Sequence, residues 1–264
     1  ISIEEKPTGQ MTAGAGYGSS GSSFIVGIKE NNFNGNGIEL DANLQLSEET
    51  IKGKFSYITP NFAYTDRSLT ALIESSSIDK IKDYGYKSTL NKILVGTSFE
   101  QYENLYLSPS FSISSEKLTT TSKASSNYKK QDGSYFDALL NYSIKYNTLN
   151  SSFRPSDGSI STFSQELPVL SDSYNIINGY QFTNFNEVVE GSILSMGIYT
   201  RAANTLKSDK DVRVSKRMFI PGSKLRGFEA GKVGPKDGKD YVGGNYMASF
   251  NTALTLPFLF PTYD

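Results

Sequence analysis

Alternation between apolar and polar side chains constrains this chain more than any other feature, and residues 38–47 give the clearest case. The apolar members share one parity and the polar members share the other: Ile38, Leu40, Ala42, Leu44 and Leu46 against Glu39, Asp41, Asn43, Gln45 and Ser47. Successive side chains of a β-strand point to opposite faces, so a strand separates the two sets, whereas a helix would mix them. The segment is therefore predicted to be a strand with one apolar and one polar face.

The same period recurs along the whole chain, and we predict about twelve strands. Regular alternation returns in residues 136–146, 194–201 and 248–256, and shorter or noisier versions occupy residues 10–17, 23–29, 54–60, 69–74, 86–100, 105–114, 159–167 and 174–185. Turn-forming residues at 19–21 and 34–37 are expected to join the first strands. The polar segments 114–134 and 205–213 are predicted to be solvated loops, and no segment has a convincing helical period.

The chain has no Cys and no His, which excludes several kinds of active site. Without these residues a Ser-His-Asp triad, a cysteine nucleophile, a thiolate or imidazole zinc site and a disulfide cannot form. Most familiar enzyme chemistry is therefore excluded. We expect no enzymatic activity, no catalytic residue, no cofactor and no metal site.

Charge gives no reason to expect a nucleic-acid partner. The 26 Lys and Arg residues against 27 Asp and Glu residues leave a net charge of −1, so no global basic field attracts a polyanion. Four lysines do cluster in the polar segment 114–134: Lys117, Lys123, Lys129 and Lys130. Because no stacking platform on a folded element accompanies them, a solvated loop is the favoured interpretation.

Two all-β architectures fit the alternation, a soluble sandwich and an antiparallel transmembrane β-barrel, because both have one apolar face and one polar face. No apolar run approaches the roughly 20 residues of a membrane-spanning helix. The long strands favour the barrel, and the 17 Tyr and 16 Phe residues can supply its interfacial girdles, although the chain has no Trp. We predict the barrel.

Five short motifs then occur in a fixed order. The richest is residues 218–228, MFIPGSKLRGF, which precede Val233-Gly234-Pro235 and Val242-Gly243-Gly244-Asn245. The others are the hexapeptides EEKPTG at residues 4–9 and FRPSDG at residues 153–158. In this order and spacing they resemble the Omp85 family, and a further likeness in residues 31–37 extends the resemblance over essentially the whole chain.

The resemblance implies a barrel of about sixteen strands, preceded by periplasmic POTRA domains. Residues 1–7 would be the end of the POTRA junction, and residues 8–264 would be a partial barrel with an inward-folded loop at about residues 205–241. The chain would then hold about the first twelve strands and lack the closing ones.

The family implies a protein that folds and inserts other β-barrel proteins into the bacterial outer membrane. Its partners would be unfolded outer-membrane proteins, outer-membrane lipids and, through the POTRA region, assembly-complex lipoproteins. Two transport functions stay open as alternatives, namely a translocation or two-partner secretion pore of the same family and a passive porin. A soluble β-rich binding protein is a third.

The Arg-Gly-Phe element is the sharpest candidate site. By resemblance, the Arg226 guanidinium would pair with carboxylates in the lumen and pin the loop, Gly227 would permit a tight backbone path, and Phe228 would pack against the lumen wall. This chain departs from the family pattern at Ala253, where a glutamate is common, so the partner of Arg226 is expected elsewhere. Five residues are expected to have structural roles in turns: Phe153, Pro155, Gly158, Gly243 and Gly244.

The first strand is the second candidate site, and the resemblance implies that it forms a lateral gate for incoming strands. The gate residues would be Thr8, Gly9, Gln10, Met11, Thr12, Ala13, Gly14, Ala15 and Gly16. Glycines and small residues pair and pack weakly, so this edge is expected to be loose. The alternative is that Gly14 and Gly16 only relieve crowding inside the barrel.

Overall fold

A computed structural model of the chain describes residues 7–18, 21–208, 210–229, 231–238 and 240–257. The POTRA junction predicted at residues 1–7 lies almost entirely outside these residues, as do two of the three residues of the turn predicted at 19–21.

Strands make up most of the described chain. They are β1 (Gly9–Gly18), β2 (Gly21–Phe33), β3 (Ile38–Ser47), β4 (Thr50–Thr59), β5 (Ser68–Lys80), β6 (Tyr86–Tyr102), β7 (Leu105–Thr120), β8 (Gly133–Asn147), β9 (Gly158–Ser171), β10 (Asn175–Val189), β11 (Ser192–Thr205), β12 (Lys236–Asp237), β13 (Asp240–Tyr241) and β14 (Tyr246–Thr255). Two single-turn helices, α1 (Ile81–Tyr84) and α2 (Ser126–Lys129), lie between strands. In the ranges that the structure describes, no helix has the length and apolarity to cross a membrane.

Twelve of these strands form one sheet in the order β1-β2-β3-β4-β5-β6-β7-β8-β9-β10-β11-β14. Every pair with a known register is antiparallel. The prediction of an antiparallel all-β chain with about twelve strands is thus confirmed. Within the described residues the order starts at β1 and stops at β14, and these two end strands do not pair with each other.

Two compact units divide the chain. The first holds β1–β5, most of β6 and β7, and the adjoining ends of β8 and β9, whereas the second holds the remainder of these strands together with β10–β14.

In the first unit the sheet has an uncovered apolar face. Register places its side chains in one row across five strands: Ile28, Ala42, Phe55, Ile73 and Ile93. The four large side chains of this row are 44–56% exposed. Such a row of exposed apolar side chains is what a lipid-facing surface requires.

The opposite face of the first unit is charged. Lys54, Glu74 and Lys92 lie opposite one another on adjacent strands, and Lys52 Nζ lies 3.1 Å from Glu74 Oε1. Alternation therefore sorts apolar and charged side chains onto two faces, as the sequence predicted.

The prediction that residues 114–134 form a solvated loop is wrong over its first part. Strand β7 continues to Thr120, and alternate side chains are buried along it: Ser112, Ser114, Glu116 and Leu118. Its buried face is mostly polar, which made a strand look like a loop in the sequence. Beyond β7, Tyr128 of α2 stacks on Tyr86 at 4.2 Å between ring centroids, so the connection itself is also packed.

In the second unit the two faces differ in the same way. Exposed apolar side chains lie on one face: Tyr180, Met196, Ile198, Phe250 and Leu254. The other face carries Arg201, whose guanidinium lies 3.7 Å from Glu166. This polar face also bears a small apolar cluster of Ile177 and Ala203, with Met247 against it.

Candidate functional site

Strand β1 is the first candidate site, and it lies at one end of the strand order. Its register with β2 runs from Gly9 opposite Glu30 to Gly18 opposite Gly21. Met11 and Tyr17 lie on the apolar face and are both more than 80% exposed. Because β1 pairs only with β2 among the described residues, its second edge presents unpaired main-chain groups.

The beginning of β1 is fastened to β2 by side-chain contacts. Thr8 Oγ1 donates to a Glu30 carboxylate oxygen, and Asn31 Nδ2 donates to the Thr8 carbonyl oxygen at 3.1 Å. These contacts fix the register at one end of the hairpin, because a shift by one residue would break both of them.

Farther along, at Gly14 and Gly16, the side chains of β1 and β2 make little contact. A Cβ added to Gly14 would meet no atom within 4 Å, and one added to Gly16 would lie 3.4 Å from Ser23 Oγ. The alternative that Gly14 relieves crowding therefore has no support among the described residues. Glycine here gives the backbone conformational freedom, and its lack of a side chain leaves space at the open edge.

The long connection between β11 and β14 is the second candidate site, and it lies on the polar face of the second unit. Val212 and Met218 pack on Ile177 and Ala203, and both are buried. Farther along the connection, Lys224 Nζ lies 5.7 Å above the Tyr199 ring, on the same face. The prediction that residues 205–213 are fully solvated is therefore wrong, because the apolar cluster on the polar face buries Val212.

Arg217 anchors this connection. Its side chain is only 7% exposed, Nη2 donates to Asp211 Oδ2 at 2.6 Å, and Nε donates to the Val212 carbonyl oxygen at 3.2 Å. Asn245 Nδ2 donates to the other Asp211 oxygen at 2.9 Å. The Asp211 carboxylate thus joins the start of the connection to its end at Asn245, and Arg217 holds that carboxylate in place with its planar fork of guanidinium donors.

The surroundings of Asp211 favour its charged form. The Asn245 side-chain amide, the Val212 N–H and the Arg217 guanidinium lower the pKa of the Asp211 carboxyl from its ordinary value, against an opposing contribution from burial. The carboxylate is therefore ionised, as its role as a shared acceptor requires.

Backbone hydrogen bonds hold the two ends of the connection together at the same place. Met218 and Gly244 exchange two hydrogen bonds of 2.9 Å, and Ala203 N–H donates to the Asn245 carbonyl oxygen at 2.7 Å. Gly243 has φ +71°, and an added Cβ would lie 3.0 Å from the Met218 carbonyl oxygen. The structural roles that the sequence predicted for Gly243 and Gly244 stay a prediction.

The Arg-Gly-Phe element lies beyond this anchor and is exposed. Arg226 has no ion pair or hydrogen bond with any residue that the structure describes, so its pairing with lumenal carboxylates stays a prediction. Gly227 has φ +85°, which agrees with the predicted tight backbone path. Phe228 is 62% exposed, so its packing against a lumen wall also stays a prediction.

The turn between β8 and β9 holds the remaining predicted residues. Gly158 has φ +97°, and an added Cβ would overlap the Thr148 carbonyl oxygen. Phe153 is 85% exposed, and the Arg154 guanidinium carbon lies 5.6 Å from its ring centroid. Asn150 organises the turn, because its Oδ1 accepts from the N–H groups of residues 156 and 157.

Sequence reasoning missed four residues that form these sites: Asn150, Asp211, Arg217 and Asn245. An Asn eight residues before a glycine, or an Asp six residues before an Arg, is too common to indicate a contact. The usable signals were the position of Arg217 directly before the motif at residues 218–228 and the position of Asn245 within the motif at residues 242–245.

Comparison with known proteins gives a consistent result. The family model described as the Omp85 superfamily domain matches residues 32–264. Outer membrane protein assembly factor BamA of Neorickettsia risticii is 24% identical over 99% of this chain and 36% of that protein. The protein of the same name from Neisseria meningitidis serogroup B is 23% identical over 97% and 35%, respectively. The chain thus spans about a third of the length of these relatives.

Two solved structures have similar folds. The crystal structure of BamA from Haemophilus ducreyi lacking POTRA domains 1–3 has a TM-score of 0.83 at 24% identity, covering 99% of this chain and 55% of that one. CdiB from Acinetobacter baumannii has a TM-score of 0.55 at 13% identity, covering 96% and 46%.

An antiparallel sheet with an uncovered apolar face, a charged opposite face and the fold of the BamA structure defines an outer-membrane protein of the β-barrel class. Because the family match covers most of its length, the chain belongs to the Omp85 superfamily. Its location is the outer membrane of a Gram-negative bacterium. The predictions of family, fold class and location are confirmed.

Proposed function

We propose that this chain is the membrane region of an assembly factor that folds β-barrel proteins and inserts them into the outer membrane. The observation that carries the proposal is β1, an edge strand with glycines at positions 14 and 16 and no second partner among the described residues. The assembly-factor name that both curated relatives bear supports the same function.

In the proposed mechanism, the open edge of β1 is a template. An incoming strand adds to it through main-chain N–H and C=O groups, as in other cases of β-augmentation. Gly14 and Gly16 let the substrate backbone approach and let β1 adjust its twist. The driving force is the folding of the substrate into lipid, so the mechanism makes no covalent bond and uses no cofactor, metal or catalytic residue.

The anchored connection is proposed to hold the Arg-Gly-Phe element within the lumen. The Asp211–Arg217–Asn245 anchor would fix both ends of the connection, and Arg226 would then bind lumenal carboxylates. The proposed partners are unfolded outer-membrane β-barrel proteins and outer-membrane lipids, with assembly lipoproteins bound through POTRA domains.

Reconstitution tests the role of the edge. The full-length protein containing this chain is placed in liposomes. The folding rate of an unfolded outer-membrane protein is then measured with the parent protein and with its Gly14→Val variant. Valine raises strand propensity and crowds the edge, and a cost of ~1 kcal/mol corresponds to a rate about fivefold lower.

Gly53→Val is the matched control. Gly53 lies within β4 on the apolar face, away from the edge, and an added Cβ would make only an ordinary 4.0 Å contact with Leu44. The proposal expects the control to keep the parent rate. Equal rates for parent and Gly14→Val would remove β1 from the mechanism.

The same assay distinguishes the transport alternatives. With Arg226→Ala, an assembly factor whose loop is pinned by this side chain loses acceleration. A protein that never accelerates folding but gives a steady ion conductance would instead be a translocation pore, a secretion pore or a passive porin. Steady conductance without acceleration would therefore overturn the assembly proposal.

A further inference from the structure

The connection between β4 and β5 is strained in a way its sequence does not require. Three residues in it that are not glycine, Ala63, Tyr64 and Asp66, have φ values of +53°, +58° and +54°. L-residues adopt this left-handed region rarely, and bulky ones least. Strain of this kind persists only where the surrounding structure enforces it, and it is concentrated at functional sites.

Hydrogen bonds enforce the strained path. Phe62 N–H donates to the Arg67 carbonyl oxygen at 2.7 Å, and Asp66 N–H donates to Asn61 Oδ1 at 3.1 Å. Thr65 Oγ1 donates to the Phe62 carbonyl oxygen at 2.6 Å. The turn is therefore a closed, hydrogen-bonded unit rather than a loose connection.

The result of this geometry is that two aromatic rings point away from the protein. Tyr64 is 96% exposed and Phe62 is 49% exposed. Rings that remain in water do not stabilise the folded chain, because the hydrophobic contribution to stability comes from removing apolar surface from water. Two exposed aromatics on an ordered, strained turn therefore indicate a contact surface.

The turn continues the lipid-facing surface of the first unit. Residues Phe55 and Ile73 of the exposed apolar row belong to β4 and β5, the two strands that the turn joins. The turn follows the last register pairs of these strands, Ile58 with Thr70 and Thr59 with Leu69, so it lies where the apolar face ends. Aromatic side chains at this level of a membrane protein occupy the boundary between acyl chains and headgroups.

The same turn also carries a cation. The Arg67 guanidinium lies 4.8 Å from the centroid of Phe99 and is exposed. A phenol, a phenyl ring and a guanidinium together match a phospholipid headgroup region, where phosphate accepts from cations and hydroxyls and the ring bodies meet the first acyl carbons.

We propose that residues 61–67 form a membrane anchor that inserts Phe62 and Tyr64 into the headgroup boundary of the outer membrane. By the antiparallel order, this anchor lies at the same end of the sheet as Gly9, the first residue of β1. It fixes the depth of the β4–β5 hairpin in the bilayer. The inference needs only the outer-membrane location and does not depend on the assembly function.

The absence of Trp from the chain gives a direct test. Tyr64→Trp and Phe62→Trp are made separately in the full-length protein and reconstituted into phosphatidylcholine vesicles, and the emission of the parent is subtracted. Lipids brominated near the headgroup or near the chain end then report the depth of each new indole. Making the two variants separately keeps the test valid if one fails to fold.

Two reference positions calibrate the measurement. Phe55→Trp places an indole in the middle of the apolar row, and Lys123→Trp places one in the polar connection after β7, in an exposed position. The anchor positions are expected to be quenched most by bromine near the headgroup. Phe55→Trp is expected to be quenched most by bromine near the chain end, and Lys123→Trp by neither.

Two results would overturn the anchor. Emission from both anchor variants that matches Lys123→Trp, without lipid quenching, would show that the turn lies in water. Blue-shifted emission without lipid quenching would show that the rings contact protein instead. Either result leaves the assembly measurement unaffected, so failure of this inference is distinguishable from failure of the proposed function.

Discussion

At the scale of single residues, Arg217 decides whether a long connection stays on the sheet. Replacing Arg217 with alanine removes the N–H groups that donate to Asp211 and to the Val212 carbonyl oxygen. Losing such charge-assisted hydrogen bonds reduces stability by about 1.5–3 kcal/mol. We expect the connection to open more often. Chymotrypsin cleavage near Phe228, which follows the open population, should accelerate by about tenfold or more.

Glu229→Gln is the control for this prediction. Glu229 lies 2.7 Å from Lys232, but both side chains are about half exposed, and such surface pairs contribute at most about 1 kcal/mol. Cleavage of the control should stay close to the parent rate. Equal acceleration in both variants would mean that any change in the connection loosens it, and Arg217 would lose its special role.

Asp211 makes the same anchor sensitive to acid. Its pKa in the folded chain is below its ordinary value of 3.8, so its contribution to stability is present above that value and is lost as the pH falls through the folded pKa. Hydrogen exchange at the Met218 amide, corrected for the intrinsic rate, should lose protection in this range.

Asn245→Ala tests the cause of that shift. The Asn245 amide is the largest contribution to the lowered pKa, so its removal should move the acid midpoint to higher pH. Asp211→Asn should abolish the pH dependence in the same range. A midpoint that is identical in parent and Asn245→Ala would show that another group titrates.

Conformation is easier to read from a sequence motif than contact is. Gly227 and Gly243 stand in motifs that the sequence shows, and both have a positive φ, although their roles stay predictions. The Asp211–Asn245 contact was not predictable, because it depends on where the connection between β11 and β14 folds back. That path is set by the apolar cluster around Val212, whose members are far apart in the chain.

At the scale of elements, the turn before β9 depends on one glycine. Gly158→Ala would force a Cβ into the Thr148 carbonyl oxygen at φ +97°, and the left-handed conformation and overpacking together cost about 2–4 kcal/mol. We expect that loss in the free energy of unfolding, measured in urea with the protein in detergent micelles.

Gly133→Ala separates the two causes. Gly133 also has a positive φ, +146°, but an added Cβ would meet nothing within 4 Å. Its variant should therefore lose less stability than Gly158→Ala. If the two losses are equal, backbone conformation alone accounts for the effect and the overlap with Thr148 contributes nothing.

Element boundaries followed from the sequence where the two faces differ most. The segment predicted from alternation, residues 38–47, coincides with β3. The end of β7 was missed because Ser112, Ser114 and Glu116 are polar yet buried. A sheet with a polar interior buries residues that a sequence analysis assigns to solvent, so its strands look shorter than they are.

At the scale of the whole molecule, the apolar row predicts how charge is tolerated. Ile73→Lys places a cation on the uncovered face, where a lipid environment penalises it by about 2–4 kcal/mol. Ser76→Lys places the same cation on the opposite, charged face of the same strand, where Lys52 is its cross-strand neighbour and Glu74 lies two residues away. We expect Ile73→Lys alone to reduce the yield of folded protein in vesicles, and equal yields would contradict a lipid-facing assignment of this face.

The order of strands also determines how the chain can reach this structure. From β1 to β11 every strand pairs with its successor, so hairpins can add one after another with only short loops to close. The last step differs, because 40 residues separate β11 from β14. Closing that loop costs roughly 2–3 kcal/mol more than closing a two-residue turn. Early contact of Asp211 with Asn245, and of Met218 with Gly244, would bring the two ends of this connection together. The final strand is therefore the step of folding that the anchor accelerates.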